Sequence, residues 1–316
     1  MKILSDAAAA SLRASIDRPH AGDRYVVGEL LGRGGMGAVY CAFDSVLKRD
    51  VALKVLASEA DSPAVAERLE HEARILARLE HPGIVAVHDA GLLDDGRPFY
   101  VMRLVMGKRL DDYATAAGRG ELFRVFLRIC DAVEYAHARE VIHRDLTPAN
   151  VMIGEFGEVL VLDWGVARMG RDGTASAGVA RTSEGGTTGD GVVLGTPGFM
   201  APEQAVGAAA TADSRADVYG LGAILRFIAA ASGASLPRPL AAIVDRATAT
   251  DPAARYASVS ALADDVRHWL DGEAVAAYRE SALEKVGRFY RRNKALILLL
   301  LAYAVVRLVI LLWRGV

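Results

Sequence analysis

The sequence predicts an α+β fold of two lobes, a small antiparallel β-lobe carrying one helix and then a mainly helical lobe, followed by one C-terminal transmembrane helix. Three observations carry this. Short apolar runs separated by turn residues fill residues 25–105, the apolar spacing becomes helical from residue 122, and residues 295–313 are almost wholly apolar. A chain of 316 residues can hold two lobes, an ample core and a short appendage. With 37 basic and 39 acidic side chains the formal charge is only −2, so no global field draws the protein to nucleic acid, and no such partner is expected. The two cysteines, Cys41 and Cys130, stand apart among apolar neighbours, which suits reduced, buried thiols and argues against a disulfide framework or a Cys/His metal site. Met1 to Leu4 run into Asp6 and an alanine tract, too weakly apolar for a secretory signal, so residues 1–24 read as a leader.

Residues 25–31, 38–43 and 51–56 alternate as strands of a meander. Residues 64–79 then place Val65, Leu69, Ile75, Leu76 and Leu79 at helical spacing, with Pro63 near the first turn, where a missing amide does no harm. Strands at 85–88 and 99–104 complete the small lobe. Helices are predicted over 122–139, 217–231, 240–249 and 259–270, interrupted by a Gly/Ser/Thr-rich stretch at 171–191 and an alanine-rich one at 205–212. There is no internal repeat. The resulting division is a leader (1–24), a first lobe (25–105), a second lobe (106–271), a basic juxtamembrane segment (272–294) and a span (295–313).

The span measures about 28 Å at roughly 1.5 Å per helical residue, close to bilayer thickness. Arg307 costs roughly 2.5 to 3.5 kcal/mol at a helix centre, against thirteen Leu, Ile and Val residues worth about 0.3 to 0.6 each, so insertion wins. Lys285, Arg288, Arg291, Arg292 and Lys294 precede the run and Arg314 follows it, a positive-inside bias that leaves the large N-terminal part cytoplasmic. The alternative is a buried C-terminal helix, which would need a large core around it.

The chemistry sits in ordered motifs. Gly32-Arg33-Gly34-Gly35-Met36-Gly37-Ala38-Val39 lies between two strands, where missing side chains let backbone amides approach phosphate oxygens. A dinucleotide-binding fingerprint would demand a helix next, and Val39-Tyr40-Cys41-Ala42-Phe43 is strand-like. Lys54 closes the apolar run Val51-Ala52-Leu53, and Glu72 follows eighteen residues later in the predicted helix, where it can pair with Lys54. A solvated edge lysine is the plain alternative. The decisive run is His143-Arg144-Asp145-Leu146-Thr147-Pro148-Ala149-Asn150, followed by Asp163-Trp164-Gly165 and Ala201-Pro202-Glu203.

In this order the chain resembles the eukaryotic-type (Hanks-type) protein kinases, specifically bacterial Ser/Thr kinases with a C-terminal transmembrane helix, over residues 25–270. The resemblance implies transfer of the ATP γ-phosphate to serine or threonine hydroxyls of proteins, its own activation loop among them, with Mg²⁺ or Mn²⁺ as cofactor. It implies that Asp163 and Asn150 hold the metal, that Asp145 orients the attacking hydroxyl and accepts its proton, and that Lys54, held by Glu72, grips the α- and β-phosphates. Leu31, Gly32, Gly34 and Gly37 would cover the nucleotide. Adenine would lie between Val39 and Ala52 above and Met152 below, bonded to the backbone near Arg103 and Val105, with Met102 as gatekeeper. Gly195-Thr196-Pro197-Gly198-Phe199-Met200 and Pro148 resemble Ser/Thr rather than tyrosine kinases.

The sequence also departs from the family. Trp164 replaces the usual phenylalanine, and Thr147 stands where Ser/Thr kinases place a lysine that contacts the γ-phosphate. Arg103 and Met106 stand where many relatives are acidic. The interval from the Asp213-to-Gly222 run to Asp251-Pro252-Ala253-Ala254-Arg255-Tyr256 is short, in a region relatives use to dock proteins; Arg255 is expected to pair with Glu203. Thr174, Ser176, Thr182, Ser183, Thr187 and Thr188 are candidate loop phosphosites read by Arg144. A pseudokinase scaffold that binds nucleotide and partners with little catalysis is the competing reading, motivated by Thr147. The expected setting is a single-pass protein of the inner (cytoplasmic) membrane with its kinase domain in the cytoplasm. Arg307 within the span raises homodimerisation as a further expectation, with anchoring alone the default.

Overall fold

The computed structural model describes residues 19–34, 37–56, 77–164, 198–205, 213–231, 233 and 236–314. The small lobe is a five-stranded antiparallel sheet of β1 (Tyr25–Gly34), β2 (Gly37–Asp44), β3 (Arg49–Leu56), β4 (Val87–Leu92) and β5 (Pro98–Arg103), ordered β1-β2-β3-β5-β4. Period-two alternation divides its side chains between two faces. Tyr40, Ala42, Val51, Leu53, Val55, Phe99 and Val101 form the core of one face. The residues between them, Val39, Ala52, Lys54 and Met102, therefore share the other, with Val39 paired to Lys54 and Ala52 paired to Met102 in the ladder.

β4 runs two to four residues later than the alternation over 85–88 predicts. Asp and Gly are residue types that strands disfavour, yet here Asp89 and Gly91 continue the strand. Its carboxylate accounts for this: Tyr25 donates to Asp89 at 2.6 Å and Arg24 at 3.0 Å, while Arg24 also forks onto Asp44 at 2.9 and 3.2 Å. The Arg24 hydrogen bonds hold the buried Asp44 carboxyl well below the usual carboxylate range, against its desolvation. Of the predicted helix over 64–79, only its end is described, and there Ala77 and Arg78 form a turn.

The second lobe is built on α1 (Leu110–Tyr113), α2 (Arg119–His137), α3 (Pro202–Ala205), α4 (Arg215–Ala231), α5 (Arg238–Ala247) and α6 (Val259–Leu270). Helix α6 has the predicted bounds; the other long helices start two or three residues earlier than their apolar spacing announced. Three short strands escaped prediction: β6 (Gly107–Arg109), β7 (Val151–Gly154) and β8 (Val159–Val161), which form one small sheet. Each is too short to show a period. Leu122, Phe126, Ile129 and Val133 of α2 and Leu221, Ile224, Leu225 and Ile228 of α4 pack in one core with Leu240, Ile243 and Val259. The lobes are joined through β8, where Val161 N–H donates to Gly83 O at 2.9 Å.

Beyond α6 come α7 (Ala282–Arg292) and α8 (Lys294–Arg314). The predicted terminal helix is thus present, 21 residues long, and Leu298 to Leu301, Val305, Val306, Val309 and Ile310 are exposed along it. Among the described residues no helix is long and apolar enough to cross a membrane. Ala295, Leu296, Leu308, Leu311 and Leu312, which belong to the apolar run, have side chains outside that description.

Helices α4 and α5 touch through Gly222. A Cβ there would lie 2.6 Å from Ala247 Cβ and 2.9 Å from Thr248 Cγ2. Alanine gains about 1 kcal/mol of helix propensity over glycine, and overpacking costs about 1–3 kcal/mol. With so short an approach the overlap wins. Gly222→Ala is expected to lower Tm by roughly 2–8 °C, at about 2–4 °C per kcal/mol for a chain of this size. A calorimetric Tm at or above the parent value would mean that the helices separate without cost.

Candidate active site

The glycine-rich segment is the β1–β2 hairpin, with Gly32 opposite Val39, Arg33 opposite Ala38 and Gly34 opposite Gly37. Gly37 has φ 137°, a conformation that favours glycine; Leu31 is exposed at the same end. The lysine is no edge lysine. Lys54 is buried, forms an ion pair and hydrogen bond with Asp163 Oδ1, and lies 5.9 Å from the Tyr100 ring centroid. Burial works against its charge, but Tyr100 and Asp163 outweigh burial and raise its pKa above the ordinary lysine value. Glu72, its predicted partner, lies outside the described residues.

Below the sheet, residues 143–150 form a loop whose backbone is tied to α4. The Asp217 carboxylate, wholly buried among the otherwise apolar buried residues of that helix, accepts from His143 N at 2.8 Å and Arg144 N at 2.7 Å, and meets His137 Nε2 at 2.7 Å. Desolvation opposes the charge, yet the His137 contact and the backbone donors hold its pKa below the carboxylate norm. The anchorage matters because Arg144 has φ 67°, a left-handed conformation that costs a non-glycine residue roughly 1–3 kcal/mol and persists only where its surroundings enforce it. Gly220 of the same helix sits so close that a Cβ would lie 2.9 Å from Leu146 Cβ.

His143 is buried and completes the loop. Its Nδ1 accepts from Asp145 N at 3.3 Å, which makes Nε2 the donor to Leu162 O at 2.9 Å. Asn150 Nδ2 donates to Asp145 O at 2.7 Å and to Asp145 Oδ2 at 3.1 Å. Leu162 N in turn donates to Asn150 O, and the next residue, Asp163, has φ 44°. The sequence-predicted Asp145, Asn150, Asp163 and Lys54 are therefore joined by two short chains of contacts. Trp164 is buried with its ring 4.9 Å from that of His143, and its indole N–H donates to Val161 O at 3.1 Å. A phenylalanine would fill the space without that bond.

The remaining candidates divide. Met102 faces the same side as Ala52 and Lys54 through its pairing with Ala52; Arg103 points to Glu158 at 3.3 Å, Val105 is half-buried, and Met152 lies in β7. Gly165, Gly195 to Pro197 and the six loop Ser/Thr candidates lie outside the described residues. Thr147 immediately precedes the 3-10 turn Pro148–Asn150. The Glu203–Arg255 pairing is formed: a two-pronged ion pair at 2.7 and 2.8 Å, with Arg255 also donating to Ala249 O, Thr250 O and Arg215 O. Gln204, unpredicted, donates to Arg144 O at 2.9 Å and so gives the loop a second support besides Asp217. Asp217, within the Asp213-to-Gly222 run, has a role the sequence does not announce; a lone carboxylate between Ala216 and Val218 is its signal.

A glycine hairpin over a buried, acid-paired lysine, above a loop that couples an aspartate to an asparagine, defines the two-lobed kinase architecture. The chain belongs to the protein kinase family: the family model of the protein kinase domain matches residues 25–235. It is 32% identical to the serine/threonine-protein kinase PknD of Chlamydia muridarum, over 79% of this chain and 32% of that protein. It is 38% identical to the serine/threonine-protein kinase PknB of Mycobacterium leprae, over 66% of this chain and 32% of that one. The chain thus spans about a third of the length of these curated relatives. Among solved structures, the kinase domain of Mycobacterium tuberculosis PknI superposes with a TM-score of 0.57 at 28% identity, covering 78% of this chain and 96% of that one.

The family uses ATP and a divalent metal, and the donor set here fits a hard cation. Asp163 supplies a carboxylate, and because Asn150 Nδ2 is committed to Asp145, its Oδ1 is the group left to coordinate. Among the described residues no three His, Cys, Asp or Glu side chains converge as a metal site.

Asp217→Asn leaves one of the two loop amides without an acceptor and is expected to cost about 1–3 kcal/mol of stability, together with most kinase activity. Because its folded pKa is lowered, the carboxylate contributes stability above the unfolded value of about 3.9, and that contribution disappears as pH falls through the lower folded value. Urea midpoints from neutral pH down to pH ~3 should show the variant missing this acid limb. Unchanged activity and an unchanged limb would remove Asp217 from the role.

Proposed function

We propose that this chain is an ATP-dependent serine/threonine protein kinase of bacterial signalling, anchored to the inner membrane by α8. The observation that carries the catalytic half is the joined set Lys54–Asp163 and Asp145–Asn150, held by Asp217 beneath a glycine hairpin. In this reading Asp145, oriented by Asn150, accepts the proton of the attacking Ser or Thr hydroxyl. Lys54, a buried ammonium, binds the nucleotide phosphates, and its present partner Asp163 with Asn150 holds the metal. Mg²⁺, or Mn²⁺ in its place, neutralises charge on the phosphates when bound. Val39, Ala52, Met102, Arg103, Val105 and Met152 would form the adenine site, with Leu31, Gly32, Gly34 and Gly37 over the phosphates and Glu72 behind Lys54. The substrates are proteins carrying Ser or Thr, with the chain's own activation loop among them.

Thr147 favours the second reading, a pseudokinase scaffold, because it brings no charge to the γ-phosphate. The arrangement of Lys54, Asp145, Asn150 and Asp163 favours catalysis. Incubating the full chain with labelled ATP and Mg²⁺ decides between them. Incorporation is expected on Ser and Thr, falling at least about 100-fold in Asp145→Asn and in Lys54→Met, in line with the share general-base and electrostatic groups supply. Nucleotide binding without incorporation in the parent would establish the scaffold instead, and full incorporation in both variants would sink the role assignment.

The anchor half rests on the exposure of Leu298 to Leu301, Val305, Val306, Val309 and Ile310 along successive turns of α8, so that no face of that helix is covered by the described chain, and on the transfer energies of the run. The basic residues before it support a cytoplasmic side for residues 25–271, the two lobes; pairing of two copies through Arg307 is the accompanying oligomeric reading. The full chain is expected to stay with the membrane pellet after alkaline carbonate extraction. Release into the supernatant would defeat the anchor and leave the kinase reading intact.

A further inference from the structure

Helix α7 links the helical lobe to α8, and its sequence ALEKVGRFYRR separates by face. At 100° per residue, Leu283, Val286, Phe289 and Tyr290 fall within an arc of about 120°, and they are between 46 and 85% exposed. A helix that served only the fold would turn this stripe inward; here no described residue covers it. The opposite arc holds Lys285, Arg288, Arg291 and Arg292, with Glu284 as the sole acid. Glu284 is committed to the N-terminus of the helix: it completes a capping box with Ser281 and accepts from Tyr278 at 2.9 Å. Arg288 is matched by a two-pronged pair with Glu280, while Lys285 and Lys294 are exposed and the sequence adds Arg291 and Arg292 to the basic character of the segment.

The segment is short, strongly two-faced, basic, and separated from the apolar helix α8 by Asn293 alone. Those are the properties of a helix that lies in a lipid interface rather than across it. The link back to the kinase lobe is firm. Ala276 N and Ala277 N donate to the buried Asp265 carboxylate of α6 at 2.6 and 3.0 Å, Tyr256 donates to it at 2.8 Å, and Val275 is buried in the core.

We propose that α7 lies along an anionic phospholipid surface, with Leu283, Val286, Phe289 and Tyr290 in the boundary between headgroups and acyl chains. Through the Asp265 clasp it holds the helical lobe at a set attitude to the bilayer. The inference rests on the anchor reading of α8, and its test separates the two. The full chain carrying Cys41→Ser receives a single spin label at Val286→Cys, Phe289→Cys, Lys285→Cys or Leu300→Cys and is reconstituted in phosphatidylcholine bilayers with and without phosphatidylglycerol. With phosphatidylglycerol, the ratio of oxygen to nickel-chelate accessibility is expected to be several-fold higher at 286 and 289 than at 285, and to narrow without it. Equal ratios at 285, 286 and 289, with Leu300→Cys still lipid-exposed, overturn the surface helix alone. Water access at position 300 overturns the anchor and the surface helix together. Spin–spin broadening at 289 that grows with protein density would assign the stripe to a second copy and also overturn the proposal.

Discussion

The buried Asp217 carboxylate is the constraint on which the site depends. A loop that must present an aspartate and an asparagine cannot satisfy its own backbone amides through helix or sheet pairing, and burying those amides without acceptors would be costly. Placing one carboxylate on a helix packed through the centre of the lobe solves this: its two oxygens take the His143 and Arg144 amides, and His137 offsets part of its charge. The glycine beside it, Gly220, permits the helix to approach Leu146 closely. The left-handed Arg144 is then a geometry imposed by α4 rather than by the loop.

The same helix lobe is closed at its other end by Arg255, whose guanidinium meets the Glu203 carboxylate and three backbone carbonyls. Nearly every donor of a buried arginine is used, which is the condition under which such a group stabilises a fold instead of straining it. Asp217 and Arg255 thus fix residues 143–150 and 201–205 to one scaffold, and Gln204 joins the two segments directly. Lys54 and Asp163 then connect the sheet lobe to this scaffold by charge, while Val161 and Gly83 connect it by backbone.

Much of this was legible because the residue types are chemically narrow. Lys54, Asp145, Asn150 and Asp163 are found together as their order implied, Arg255 meets Glu203, and the first three strands and α6 follow strong periods. What escaped was non-local. The Arg24–Asp44–Asp89 cluster joins residues far apart in sequence, so the strand extends past the predicted 85–88 with Asp89 satisfied from outside. Strands β6 to β8 span at most two periods. In helix α7 the frequency of Lys and Arg masks the helical spacing of Leu283, Val286, Phe289 and Tyr290, so the sequence shows a basic segment where the structure has a two-faced helix.

Trp164 has a consequence of another kind. The chain carries three tryptophans, and they sample three separate environments: Trp164 buried beside His143, Trp269 tilted against Phe123 with Arg119 nearby, and Trp313 open on α8. Indole emission is sensitive to the polarity and mobility around the ring, so the native protein carries distinct optical reporters of its catalytic loop, of the floor of its helical lobe and of its terminal helix. Replacing two of the three in turn would let each region be followed separately through unfolding or ligand titration with no dye attached.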